Sequence, residues 1–131
     1  MDIFKELRQV LEQAALTDNA VLIDTVPDED WNEKPILAVT HEGEDFESYL
    51  DGSAFGTLTL ALFCFAKDRD SAKNTGERAV SVVTETLNNL WENDRISGFM
   101  PVMQDLGHAV SQRGSKLRDE FLLKQIFTVY I

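Results

Sequence analysis

Thr57-Leu58-Thr59-Leu60-Ala61-Leu62-Phe63-Cys64-Phe65-Ala66 is the stretch whose reading decides the fold. Leu58, Leu60, Leu62 and Cys64 share one side at the period-two spacing of a strand; Thr57, Thr59, Ala61, Phe63 and Phe65 share the other. Both sides are largely apolar in the second half, so the strand is expected to be central and covered on both faces. Asp68 or Asp70 then caps an expected long helix running to about Trp91. Ala72, Gly76, Ala79, Val80, Val83, Leu87, Leu90 and Trp91 recur in it at spacings of three and four, with Lys73, Glu77, Arg78 and Glu85 on the remaining surface.

Upstream, Asp2 is a plausible N-cap for a first helix ending near Ala15 or Leu16. Ile3, Leu7, Val10, Leu11 and Ala14 form its apolar side. The run 20–23 is short and rich in β-branched residues, which suits a strand. Residues 27–35 read as a proline-bounded loop in which Trp31 lies as a lid over the core edge. Residues 36–40 read as a second, nearly fully buried strand. Residues 41–55 are acidic, with two glycines, and read as an extended loop or a projecting hairpin.

Downstream, Gly98 and Pro101 interrupt the chain before an expected strand over 99–105. Residues 107–119 hold two glycines and a small basic group, and are expected to form a second arm or hairpin tip. The apolar stretch 121–131 is expected to be pinned in a sheet. This order gives an α+β fold: a mixed, mainly antiparallel sheet packed by the N-terminal helix and one long helix, as a single domain over residues 1–131.

The 131 residues carry 12 lysines and arginines against 23 acids, a net charge of −11. That balance disfavours a general nucleic-acid binder, because phosphate binding is dominated by cations. No apolar run reaches the roughly 18–20 residues that span a bilayer, so no membrane partner is expected. The first residues lack the pattern of a secretory signal, and one cysteine suits a reducing compartment. The charge is uneven. Residues 1–55 hold 14 acids and three bases; residues 56–131 hold nine of each. Glu42, Glu44, Asp45, Glu47 and Asp51 form one acidic cluster, residues 28–33 another, and Arg113, Lys116 and Arg118 the basic group. These are either solvated loops or faces that meet a partner or another copy of the chain.

Chemistry finds little to build on. His41, His108 and Cys64 do not offer the three or four ligands of a zinc site at usable spacing. Cys64, flanked by Phe63 and Phe65, reads as inert core rather than nucleophile. There is no G-x-S-x-G elbow, and Gly52 to Gly56 lacks the lysine of a phosphate-binding loop. The acidic clusters lack the twelve-position pattern of a calcium loop. No catalytic residue, metal or cofactor is expected, and the protein is not expected to be an enzyme.

From Pro35 onward the chain resembles the phage tail terminator (tail completion) proteins of lambda-like and Mu-like phages. The similarity lies in a PILAV strand after an acidic loop, then TLTLALFCFAKDRDSAKNTGERAVSVVTETL as a strand feeding a long helix. A polar loop with Arg113, Lys116 and Arg118 then leads into EFLLKQIFTVYI. The resemblance implies a structural virion protein that forms a hexameric ring on the tail tube, stops its polymerisation and meets the head–tail connector. It implies as partners other copies of the chain, the tail tube protein and the neck protein, with DNA only passing through the lumen. It places the protein at the neck-proximal end of the tail after assembly in the host cytoplasm. A ring needs two different patches per subunit, which the acidic first half and the Arg113–Arg118 group could supply. Competing readings are another small component of a tail, neck or tail-like injection system, an acidic inhibitor that mimics DNA, and a small enzyme with an unrecognised pocket.

Overall fold

The computed structural model describes residues 3–17, 20–22, 34–48, 54–113 and 116–131. Helix α1 (Ile3–Thr17) is followed by strands β1 (Val21–Leu22), β2 (Ile36–Ser48) and β3 (Ala54–Ala66). Helix α2 (Arg69–Glu92) and strands β4 (Gly98–Arg113) and β5 (Lys116–Tyr130) complete the chain. The sheet order is β1-β2-β3-β5-β4. The short β1 pairs with β2 in parallel, and all other neighbours are antiparallel. The expected α+β architecture with a mixed, mainly antiparallel sheet is what forms. Asp2, the expected cap of α1, and Trp31 with its loop lie outside the described residues.

β3 occupies the middle of the sheet, as its apolar pattern requires. The strand leaves through α2, and β4 returns in the same direction as β3, with β5 inserted between them. Leu60, Leu62 and Cys64 of β3 meet Leu123, Phe127 and Val129 of β5 and Leu37 and Val39 of β2 in one buried cluster. Ile3, Leu7, Leu11 and Ala15 of α1 and Ala79, Val83, Leu87 and Leu90 of α2 close that cluster from above. α2 contacts β3, β4 and β5, while α1 contacts β1 and β2 and leans on α2. An ion pair of 2.7 Å between Arg95 and Glu6 ties the exit of α2 to α1.

Coverage of β3 on both faces does not hold among the described residues. Both helices sit on the Leu60–Leu62–Cys64 side. On the other side Phe63 and Phe65 are half-buried and stacked at 6.2 Å, and the Lys124 ammonium lies 5.3 Å from the Phe63 ring centroid. An aromatic side chain on a strand can be satisfied by cross-strand neighbours without a covering layer, so its presence alone does not require one. Trp91 is a second correction. It is 49% exposed and packs edge-on against Phe99, outside the apolar stripe of α2.

Local signals fix the ends of α2. Asp68 is the N-cap: one carboxylate oxygen accepts from the Ser71 backbone N–H at 2.8 Å and the other from its hydroxyl at 2.9 Å. Those bonds to the backbone and hydroxyl of Ser71 hold the Asp68 carboxyl below its ordinary pKa. At the other end Arg95 N–H reaches Leu90 O and Asp94 N–H reaches Trp91 O, with Asp94 in the left-handed region at φ 58°. This is a Schellman closure built on aspartate instead of the usual glycine.

Gly76 is required by packing. A Cβ there would lie 3.0–3.1 Å from three side-chain atoms of Leu123, including its Cβ, which the β5 backbone holds in place. Gly76→Val is therefore expected to lower stability by about 1–3 kcal/mol through overpacking, despite the removal of a helical glycine. Chemical denaturation of the two proteins measures this; an unchanged midpoint would mean that α2 does not approach β5 this closely.

Candidate assembly surfaces

The register places the charged segments as extensions of the sheet. Beyond Thr40 the chain does not leave the sheet: β2 continues to Ser48, pairing Glu44 with Leu58, Asp45 with Thr57 and Glu47 with Phe55. Of the two forms expected for residues 41–55, strand pairing is the one observed, but 41–45 pair within the body of the sheet and only 46–48 with 54–56 extend past β5; residues 49–53, and hence Asp51, lie outside the described part. A register shift between His41 and Gly43 marks a bulge, where Thr40 Oγ1 donates to Glu42 Oε1 at 2.9 Å. The run 41–48 is polar at nearly every position, so it carries no apolar period that would have marked it as a strand.

The basic group sits in a second hairpin. β4 runs unbroken through 98–113, joining the separately expected strand and arm, and pairs Arg113 with Lys116 and Ser111 with Arg118. The last β3–β5 pair is Ala66 with Phe121, so among the described residues 116–120 of β5 pair with β4 alone. Five residues at about 3.3 Å each make an arm of roughly 17 Å.

The two hairpins point in opposite directions. Asp45 is level with Thr57 and Tyr130, at one end of β5; Arg113 is level with Lys116, at the other. Fourteen residue steps separate those levels, or about 46 Å along the strands. The structure thus brings Glu42, Glu44, Asp45 and Glu47 together at one pole and Arg113, Lys116 and Arg118 at the other, and does not bring the two sets into contact. At the base of the basic arm the His108 ring packs edge-on against Phe121, with Nε2 3.9 Å from the Asp119 carboxylate.

Sequence reasoning missed the two buried polar groups of β5. Glu120 is buried at the root of the arm. Gln125 is buried in the helix-facing row of β5, opposite a bulge where β4 spends one extra residue, Met103, at φ 51°. Its amide donates to Ile126 O at 2.8 Å and lies 3.4 Å from Val102 O. A lone glutamine in the otherwise apolar alternating row 121, 123, 125, 127 and 129 is the signal that could have pointed to a bulge, since a buried amide needs backbone partners.

Among the described residues no three His, Cys, Asp or Glu side chains converge as metal ligands. Cys64 is fully buried in the core cluster. An open groove of about 570 Å³ runs between the helices, bordered by Gln9, Val10, Gln13 and Val82. Its described lining holds one carboxylate, Glu12, and no histidine or cysteine. No helix is long and apolar enough to cross a membrane. No protein-family profile matches the chain, and no characterised protein aligns with it significantly.

Proposed function

We propose that the protein is a structural subunit of a phage tail, capping the tail tube as a ring and presenting a surface for head–tail joining. One observation carries the reading: a single sheet ends in an acidic hairpin at one pole and a basic hairpin at the other. Two unlike surfaces on one subunit are the requirement for a heterologous contact, which closes into a ring when successive copies are related by rotation. The order of elements supports the reading through its similarity to tail terminators. An overall charge of −11 suits a lumen wall that lets DNA pass without gripping phosphate. An acidic DNA mimic would spread carboxylates over a whole surface, whereas here they gather in the first half of the chain.

The triple variant Arg113→Glu, Lys116→Glu, Arg118→Glu tests this. The three positions lie where β5, among the described residues, pairs with β4 alone, away from the core cluster, so the variant is expected to fold and express normally. In a complementation assay it is expected to give overlong or headless tails, visible by electron microscopy. Tails of normal length from a folded triple variant would remove the basic pole from the assembly surface. Normal tails in the complete absence of the protein would overturn the reading itself.

A further inference from the structure

The β4–β5 ladder holds two registers. From Gly98 to Val102 it places Phe99 opposite Val129 and Val102 opposite Ile126. From Gln104 onward it runs one residue out of step, with Leu106 opposite Leu123. Met103 is the residue spent between them. Phe99 and Leu106 both pack against the core cluster, although seven positions separate them and a regular strand would turn them to opposite sides. Arg113 pairs with Lys116, so the arm closes with two residues between its strands. The extra residue reconciles the register of the body with the register of the arm.

The bulge is costly. Met103 sits at φ 51°, a region that side chains other than glycine rarely adopt. A bulge also interrupts the ladder, so backbone groups beside it need partners from elsewhere. Gln125 supplies them: it is 4% exposed, and its Nε2 lies 2.8 Å from Ile126 O and 3.4 Å from Val102 O. Both neighbours are carbonyl oxygens, so the site takes an N–H donor, and an apolar side chain in its place leaves them without one.

We propose that Gln125 is the register key of the β4–β5 arm, its buried amide favouring the bulged ladder over one slid by a single residue. In the slid ladder Asp105 stands opposite Leu123 on the helix side, Leu106 turns to the other side, and Arg113 loses Lys116. Every position from 104 to 112 then changes sides. A lone buried polar group that selects one register among apolar neighbours follows the same logic as the asparagine of a coiled-coil seam. The surface that the arm shows to a partner is thus chosen inside the sheet, at Gln125. This role belongs to the arm's own fold and is independent of the tail reading.

A double-mutant cycle on the full chain tests it, with deletion of Met103 as the second change. The deletion joins Val102 to Gln104 and keeps every other pair, so it is expected to fold with the parent's pairing. Gln125→Leu alone is expected to shift the unfolding equilibrium about tenfold or more toward the unfolded chain. It should also add a second set of amide signals over residues 104–113 by NMR. Cross-strand contacts between Asp105 and Leu123 should then appear beside those between Leu106 and Leu123. In the Met103 deletion no bulge remains to be held, so Gln125→Leu should no longer lower the midpoint or disturb the pairing. An equal loss in both backgrounds would make Gln125 an ordinary core group and overturn the proposal. So would a Gln125→Leu chain that keeps Leu106 alone opposite Leu123. A Met103 deletion that does not fold would show that the extra residue is not what reconciles the two registers, and overturns it as well.

Discussion

Removal of residues 127–131 is expected to leave no stably folded protein. β5 is an inner strand, so each residue lost there breaks pairing on two sides. Phe127 lies between Leu60 and Pro101, Val129 between Leu58 and Phe99, and Tyr130 between Thr57 and Gly98. The Tyr130 carbonyl also accepts from Ser97 N–H at 2.7 Å, and Ile131 N–H donates to Gly56 O at 2.9 Å. Phe127 and Val129 are fully buried in the core cluster, and burying such side chains contributes about 1.5–3 kcal/mol each. The truncation also leaves the facing backbone groups of β3 and β4 without partners, each at a cost of about 1–3 kcal/mol if they stay buried. Against a typical total stability of roughly 5–15 kcal/mol, these losses together suffice to unfold the domain. Soluble yield, circular dichroism and thermal melting of the truncated chain measure the outcome. A cooperative melt at the parent midpoint would show that this segment is not an inner strand.

The helices, the central strand and the last strand were legible because each carries its own periodicity. Ile3, Leu7 and Leu11, then Ala72, Ala79, Val83 and Leu87, repeat at three and four, and they are the residues that become buried. The stretch 57–66 alternates at two, which fixed its type but not the number of layers around it. Phe63 and Phe65 suggested a second covering layer, whereas among the described residues both helices lie on the other side. The strand extensions were harder to read for a different reason. Residues 41–48 and 107–113 carry polar residues on both alternating sets, so no apolar period marks them, although 41–45 and 107–108 still pair within the body of the sheet. The charged residues of the candidate assembly surface were visible by type. Their separation to opposite poles was not, because it depends on β5 being inserted between β3 and β4.

Leu62→Ala is expected to cost about 2–5 kcal/mol, as a buried leucine replaced without compensating collapse. Leu62 is fully buried, paired with Val39 on one side and Gln125 on the other, and belongs to the cluster that Ala79, Val83 and Leu87 of α2 close. Its neighbours are held by strand pairing on both flanks, which limits their ability to fill the space left behind. Denaturant titration should show a lower midpoint with an unchanged slope, since the surface exposed on unfolding is nearly the same. Phe63→Ala is the informative companion, because the two residues are adjacent on β3 but face opposite sides of the sheet. If both faces were covered, the phenylalanine truncation would be the costlier, at about 3–5 kcal/mol. With Phe63 half-buried beside Phe65 and Lys124, the order is reversed and Leu62→Ala is the costlier of the pair. A loss at Leu62 below about half a kilocalorie, far under the range for a buried leucine, would overturn the strand's placement beneath α2. A larger loss at Phe63 than at Leu62 would instead show that the second face of the sheet is covered in solution.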